Sequence, residues 1–350
     1  NELLFNLQYS TSSRINRFDK LTERRDGELR FAEWYYGPQD RFLFSTQFIM
    51  NADKKWMDKG VFTAAYQNIK ESRIDRGFGS LNRYSEFEKV QVYSLNGDFT
   101  VDFDPEIRRN FGYGFEVAYN DVNSRSRGDV LDVAGNTILG IKDNFVVQTR
   151  YPDGGSSYLS SAIYASYRQD IGKKSTLNTG IRLTNTALTA KWVDTTFISL
   201  PDSDIRIMNT AVTATAGYIY RPNEFWQING VLSSGFRSPN IDDIGKVREK
   251  RGDVTVPNVD LQPEFAYNFE AGVLKYFDEK RTYIGLATYY TLLNNYIVRA
   301  PFEINGSSTI IYDGEEANVV ANVNKDNAYV YGGTFNFKAQ LSNNWNTRAS

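Results

Sequence analysis

The sequence predicts an all-β chain that folds as a transmembrane antiparallel β-barrel. Apolar and polar residues are finely mixed, since aromatic side chains make up 15% of the chain and charged ones 23%. They alternate in runs of about ten residues, the length that a tilted strand needs to cross the hydrocarbon core. Short connections also alternate with long ones. Because lipid-facing and lumen-facing side chains alternate along such strands, the mean hydropathy stays low, at -0.48.

The clearest predicted strand covers residues 111–120. Side chains of a strand alternate between its two faces, so its apolar residues share one face. They are Phe111, Tyr113, Phe115, Val117 and Tyr119. The segments 93–100 and 212–220 repeat this pattern. We therefore expect Val117 to face lipid and Ala118 to face the lumen.

The connections between predicted strands are of two kinds. We expect short turns near 51–60, 103–110, 170–176, 221–225, 278–281 and 341–344. Longer polar segments, predicted to be extracellular, lie near 11–40, 72–87, 121–157, 191–207, 238–263 and 299–318. A barrel with short periplasmic turns and long external loops requires this alternation. A soluble propeller or lectin-like sandwich, the alternative all-β fold, does not. Aromatic residues such as Trp56, Phe103 and Phe225 flank the short turns and indicate an interfacial girdle.

Composition excludes several classes of function. The formal net charge is -2, and the chain contains neither His nor Cys. This leaves no basic field for nucleic acid and excludes Ser-His-Asp catalysis, thiolate sites and His-ligated zinc or haem within this stretch. The acidic pairs Asp242-Asp243 and Glu315-Glu316 are interpreted as solvated loop residues. No nucleophile and base can be assembled, so we expect no enzyme, no catalytic residue, no metal and no cofactor.

Two motifs follow one another in the second half of the chain. Residues 235–240 read GFRSPN, and residues 258–264 read NVDLQPE. They resemble the paired signature of TonB-dependent receptors, whose usual form is G-F-R-A-P and then N-P-x-L-K-P-E. The segment NFEAG at 268–272 is similar to the N-x-E-x-G strand of that family, and residues 287–297 resemble the strand after it. The later G-x-E of the family is replaced by GGT at 332–334.

This resemblance implies a barrel of about twenty-two strands around a plug domain. We count about fourteen strands here and interpret residues 1–350 as one partial barrel, roughly the middle two-thirds, without plug, TonB box or final strand. Charges on the non-lipid phase of a strand need water or protein partners. The residues expected to be lumenal and to contact the plug are Arg237, Glu264, Asn268 and Glu270.

A second resemblance concerns the ligand. The segment EWYYGPQ at 33–39, with YQ at 66–67 and ESR at 71–73, looks like the haem- and haemoglobin-type receptors of Bacteroidetes. Those receptors typically carry a histidine between the two motifs, and residues 238–258 contain none. Tyrosine can ligate haem iron, although loop tyrosines also serve as rim or packing aromatics. The candidate ligand-binding residues lie in or near the long segments: Trp34, Tyr35, Tyr36, Arg150, Tyr151, Trp192 and Tyr312.

The family resemblance implies a multi-pass protein of the Gram-negative outer membrane that actively imports a scarce nutrient. The expected nutrient is an iron source, either haem or a ferric siderophore. The implied partners are outer-membrane lipid, the plug domain, the TonB-ExbB-ExbD energising system and a surface lipoprotein. A passive porin-like channel and a non-transporting scaffold in an outer-membrane assembly are the alternatives, because fold does not fix function.

Overall fold

The structure, a computed structural model, consists almost entirely of β-strands. It describes residues 1–25, 27–135, 137–200, 203–250, 252–277, 281–312, 314–342 and 344–350. In chain order the elements are β1 (Glu2–Thr11), β2 (Ile15–Asn16), α1 (Phe18–Leu21), β3 (Arg24–Arg25), β4 (Glu28–Leu29), β5 (Phe31–Tyr36), β6 (Asp40–Lys54), β7 (Met57–Gly77), β8 (Asn82–Asp104), β9 (Arg109–Ala134), β10 (Thr137–Phe145), β11 (Ser156–Ile171), β12 (Ser175–Lys191), β13 (Asp204–Tyr220), β14 (Trp226–Arg237), α2 (Ile241–Ile244), β15 (Arg248–Lys250), β16 (Asp253–Thr255), β17 (Glu264–Phe277), β18 (Thr282–Pro301), β19 (Thr309–Tyr312), β20 (Glu315–Ser342) and β21 (Trp345–Ala349).

The principal strands form an antiparallel meander. Their order in the sheet is β1, β6, β7, β8, β9, β11, β12, β13, β14, β17, β18, β20 and β21, each paired with the next. These thirteen strands of the described residues are close to the expected number. The remaining short strands and both short helices lie between them along the chain. All-β architecture with sequential antiparallel pairing, the fold class predicted for a barrel wall, is therefore confirmed.

The two ends of the sheet differ as the connection lengths predict. Short turns such as 105–108, 172–174 and 221–225 lie at one end, here called the short-turn end. The long segments lie at the opposite, long-segment end. Two of them are more regular than expected, because the predicted segments 72–87 and 121–157 are largely strand and extend β7 to β10. Within the predicted turns and long segments, residues 26, 136, 201–202, 251, 278–280, 313 and 343 lie outside the described residues.

Register fixes which side chains share a face. Directly opposite residues of an antiparallel pair lie on the same face of the sheet. One such row runs across five strands through Gly97, Phe115, Ile163, Leu183 and Val212. The last three are 60%, 43% and 59% exposed, although they are aliphatic. We call this side the apolar face, and its exposed aliphatic surface is suited to contact with membrane hydrocarbon.

The opposite side, here called the polar face, carries hydrogen-bonded side chains. The Tyr164 hydroxyl donates to Asp98 two strands away, and Arg182 lies 3.3 Å from the Glu116 carboxylate. Tyr164 reaches Asp98 by crossing β9 at Gly114, where a Cβ atom would collide with the phenol ring. Gly97 serves the apolar face in the same way, because the Phe115 ring occupies the space above it. Each glycine makes room for an aromatic ring on the neighbouring strand.

A buried apolar core lies at the long-segment end. It joins the end of β12, the segment 192–200, the segment 241–261, Ile304 and the start of β20, and we call it the cap. Its members include Leu188, Ile205 and Val254, which are at most 2% exposed. Parallel pairing of β16 with β20 connects the middle of the cap to the sheet of principal strands, which we call the wall. The long segments therefore form a packed layer over this part of the wall.

No helix among the described residues is long and apolar enough to span a membrane.

Candidate functional site

The first sequence motif ties a long segment to the sheet. Arg237 ends β14 on the polar face, where its guanidinium lies 2.6 Å from Asp243 Oδ1 and 2.9 Å from Glu264 Oε2. Asn240 caps α2 by accepting hydrogen bonds from the backbone of Asp242 and Asp243, and the Asn240 backbone N–H in turn donates to the Asp243 carboxylate. The motif residues thus hold the 238–247 segment against β14 and β17. Asp242 and Asp243, expected from the sequence to be solvated acids, instead accept hydrogen bonds within the chain, although the Asp242 side chain is still half exposed.

The other residues expected to be lumenal also lie on the polar face. Asn268 accepts a hydrogen bond of 2.7 Å from the Thr291 hydroxyl, and Glu264 also accepts one from the backbone of Ile297. Glu270 lies opposite Val231 in the pairing of β14 with β17. No ion pair joins it to another residue within the described ranges. Arg237, Glu264 and Asn268 therefore have partners in this chain, and Glu270 presents its charge to the interior.

Trp34 and Tyr36 lie on one face of β5 and Tyr35 on the other. The rings of Trp34 and Tyr36 meet edge to face with centroids 5.0 Å apart. Arg17 donates to the Tyr36 hydroxyl over 2.8 Å, and the Arg73 guanidinium lies 5.3 Å from the Tyr36 ring centroid. Tyr35 instead stacks under the guanidinium of Arg14, at 3.7 Å. Trp34 and Tyr36 therefore face the same interior cluster of charges, and Tyr35 does not.

Arg150 and Tyr151 approach that cluster from the segment between β10 and β11. The Tyr151 hydroxyl donates to Asp242 Oδ1 over 2.6 Å, and Lys246 Nζ lies 2.8 Å from the same carboxylate. Burial would raise the pKa of Asp242, but the hydrogen bonds from Lys246 and Tyr151 outweigh it and lower the pKa below its usual value. Burial and the bond to Asp242 raise the pKa of Tyr151. Tyr151 therefore remains a neutral phenol.

Glu88, which sequence reasoning missed, lies between the Trp34–Tyr36 cluster and the contacts of Arg150 and Tyr151. It lies on β8 and is 9% exposed. Burial, aided by the charge of Glu86, raises the pKa of Glu88 to about 7, and the positive charges of Arg150 and Arg73 offset this only in part. Neither of its carboxylate oxygens accepts a hydrogen bond within the described residues, and the Arg150 Nε donates none there. Buried charges usually have such partners. We call Trp34, Tyr36, Arg73, Glu88, Arg150, Tyr151 and Asp242 the mouth site.

The other two candidate residues lie in or against the cap. Trp192 is 2% exposed, and its indole is surrounded by the cap core. Tyr312 ends β19 and packs against the same core. Burial gives Trp192 a packing role in this structure and removes it from the mouth site. A tryptophan in a long polar segment suggested a ligand contact, and the sequence contained no signal that the segments pack together.

A groove of about 680 Å³ lies on the sheet nearer the short-turn end. Its lining is rich in polar-face residues of β11 to β14, including Ser166, Asn178, Thr215, Gln227 and Asn229. Such groups can exchange hydrogen bonds with another polypeptide or with water. Within the described residues no cluster of three or more acidic side chains is arranged to hold a metal ion.

Comparison with known protein families identifies the family of this chain. The family described as "TonB dependent receptor-like, beta-barrel" matches residues 2–350, so the chain belongs to it. Membership implies the outer membrane, and the family comprises receptors and transporters rather than enzymes. No curated protein matches the sequence.

Solved structures share the fold at low sequence identity. The "Copper transporter OprC" superposes with a TM-score of 0.67 at 13% identity, over 90% of this chain and 46% of its own. The siderophore receptor PiuA from Acinetobacter baumannii gives 0.62 at 14%, over 98% and 52%. The Serratia marcescens hemophore receptor HasR, solved with its hemophore HasA and heme, gives 0.61 at 13%, over 96% and 56%. The chain thus spans about half the length of these proteins.

Proposed function

We propose that the full-length protein actively imports a scarce nutrient across the outer membrane and that the nutrient is an iron chelate. The mouth site carries this proposal. It groups two guanidinium groups, two phenols and an indole at the long-segment end. Within this chain Arg73 lies 3.0 Å from Glu86 and Arg150 lies 3.7 Å from Asp242, so a bound anion would share or replace these partners. Guanidinium groups bind carboxylate and catecholate oxygens, and aromatic rings cover the flat parts of such ligands. Family membership and the siderophore, haem and copper proteins of the same fold support import.

Between the two iron sources, the chemistry of the mouth site favours a ferric siderophore over haem held by tyrosine. A tyrosine that ligates iron must lose its proton, and the bond from Tyr151 to Asp242 keeps that proton in place. Recognition would then rest on Arg73 and Arg150 and not on a protein-iron bond. Haem from a carrier protein, or haem ligated by residues outside this chain, is the competing reading.

The test uses the full-length receptor and two probes, a ferric tris-catecholate and haemin. Removing one charged contact costs about 1.5–3 kcal/mol, so Arg150→Gln should weaken tris-catecholate binding by about tenfold or more. Arg168→Gln is the matched control, because Arg168 lies on the polar face of the same wall near the short-turn end. Equal losses in both variants, or tight haemin binding with a tyrosinate spectrum, would contradict the siderophore assignment.

Radioactive iron uptake by cells separates active import from the alternatives. Uptake that stops when TonB is deleted supports import. Uptake that continues without TonB would assign a passive channel. If neither binding nor uptake is seen while the protein accumulates normally in the membrane, the wall serves as a scaffold.

A further inference from the structure

The apolar face changes character in regular steps toward the long-segment end. Tyr66, Tyr93 and Tyr119 lie opposite one another in register on β7, β8 and β9. Two residues further along, the same positions are Asn68, Gln91 and Asp121, and two further they are Lys70, Lys89 and Asn123. Each step advances about 6.6 Å along a strand. A row of rings, a polar row with two amides and the Asp121 carboxylate, and a row with two cations follow one another, in the order expected from hydrocarbon through the interface to charged headgroups.

Lys70 and Lys89 form a like-charge pair that no ion pair neutralises within the described residues. They lie directly opposite one another on neighbouring strands, an arrangement that is destabilising by itself. Arg125, which is exposed, adds a third cation one row further on, opposite Phe87. No carboxylate among the described residues forms an ion pair with any of the three. Two acids lie near the three cations. Asp40, opposite Lys70, accepts the Thr11 hydroxyl over 2.6 Å, and Asp121 accepts the Asn123 amide over 3.3 Å, so the patch keeps a net positive charge.

A second like-charge pair on the same two strands has a neutralising carboxylate, which the first pair lacks. Arg76 and Arg83 also lie directly opposite one another. Glu33 from β5 neutralises both, at 3.2 Å from Arg76 and 2.9 Å from Arg83. Its side chain is only 10% exposed. Arg76 and Arg83 are therefore neutralised by a buried carboxylate of this chain, whereas Lys70 and Lys89, next to the tyrosine row of the apolar face, form no such ion pair among the described residues.

We propose that Lys70, Lys89 and Arg125 bind the phosphate groups of an anionic lipid in the leaflet at the long-segment end. The patch is continuous with the lipid-facing tyrosine row, so its neighbours in the membrane are lipid headgroups. The occupant is a phosphorylated lipid of that leaflet and not free phosphate, because acyl chains can lie on Tyr66 and Tyr93 below the cations. Each cation near an anionic membrane surface contributes about fivefold in affinity.

The experiment measures lipid binding to the full-length receptor by native mass spectrometry in neutral detergent. The probes are lipid A with two phosphates, the same lipid without phosphate, and inorganic phosphate. Lys70→Gln combined with Lys89→Gln should weaken retention of phosphorylated lipid A by about tenfold or more, and Arg125→Gln should weaken it further. The control is Lys173→Gln with Lys174→Gln, which removes two exposed cations from the turn between β11 and β12.

Charge-conserving variants keep the result interpretable if neutral ones fold poorly. The double variant Lys70→Arg with Lys89→Arg should retain phosphorylated lipid A. Both this variant and the glutamine double variant should bind dephosphorylated lipid A as the native receptor does. The proposal is overturned if the glutamine pair and the control pair lose lipid equally, if the arginine pair loses it, or if phosphate removal from the lipid has no effect. Displacement of the lipid by millimolar inorganic phosphate would assign the patch to a free anion and would also overturn it.

Discussion

The aliphatic and aromatic row of the apolar face, here called the membrane-facing band, and the cap use the same apolar residue types in opposite ways. In the band, Ile163 and Val212 point outward and are 60% and 59% exposed. In the cap, Ile205 and Val254 point into a core and are 1% and 0% exposed. Lipid replaces a core in the first region, whereas water outside the membrane forces the second to build one. The stability of the wall therefore depends on contact with lipid, whereas the stability of the long segments depends on burying apolar side chains away from water.

The largest effect expected from this comparison is obtained with two leucines of one strand. Leu188 of β12 is 2% exposed in the cap, and Leu183 of the same strand is 43% exposed on the apolar face. Leu188→Ala should destabilise the cap by about 2–5 kcal/mol, because a packed core cannot refill the cavity. Leu183→Ala should cost under about 1 kcal/mol, because lipid tails are as apolar as leucine and fill the space. Urea unfolding in lipid vesicles measures both, and similar costs would break the comparison.

A charge on the apolar face tests the band directly. Val117→Arg should cost about 2–4 kcal/mol, because it places a guanidinium against hydrocarbon. Ala118→Arg is the matched control, since Ala118 lies on the polar face between Ser94 and Ser160. Folding yield into vesicles and the free energy of unfolding report the difference. If positions 117 and 118 respond alike, the face assignment is wrong.

A smaller effect is expected from acid at the border of the cap. The folded-state pKa of Asp242 lies below its unfolded value of 3.8, so its contribution to stability is present above pH 3.8 and is lost as the pH falls through the folded pKa. Acid should therefore loosen the contact between Tyr151 and the 238–247 segment. Limited proteolysis of that segment at pH 6 and at about pH 3 measures the change. In Asp242→Asn the contact should already be weak at pH 6, and an unchanged proteolysis profile would contradict this role.

The smallest effect on stability, but a clear one on labelling, is expected from epitope tags. A tag at Gly79, in the exposed tip between β7 and β8, should be labelled on intact cells. A tag at Asn223, in the turn between β13 and β14, should be labelled only after the outer membrane is opened. This outcome would place the cap outside the cell. Labelling at Asn223 alone would reverse the orientation.

Much of the wall could be predicted from the sequence because the alternation that specifies each strand lies within that strand. Alternation at 111–120 specifies a strand and its two faces without reference to any other segment. The turns near 103–110, 170–176 and 221–225 follow from local composition and appear where predicted. The same phase argument put Arg237, Glu264 and Glu270 on the polar face. The motif resemblance supplied the family, which the match over residues 2–350 confirms.

The sequence indicated only some of the residues that the structure groups in the mouth site. Trp34, Tyr36, Arg150 and Tyr151 lie there, and their ligand-binding role stays a prediction. No sequence signal distinguishes Glu88 from the other glutamates of polar segments. Trp192 was expected to meet a ligand and instead fills the cap. The neutralisation of Arg237 by Asp243 and Glu264 was also hidden, since their partnership depends on how the 238–247 segment folds back.

The sequence alone determined the strands, their faces and the kinds of connection, because the period of two is a local property of the chain. Only the tertiary structure decided which long segments pack together, which charges find partners and which remain without them. Those outcomes depend on contacts between residues far apart in sequence, such as Tyr151 with Asp242 or Glu33 with Arg76 and Arg83. Local sequence patterns do not predict such contacts, because burial and Coulomb interactions act through space and not along the chain.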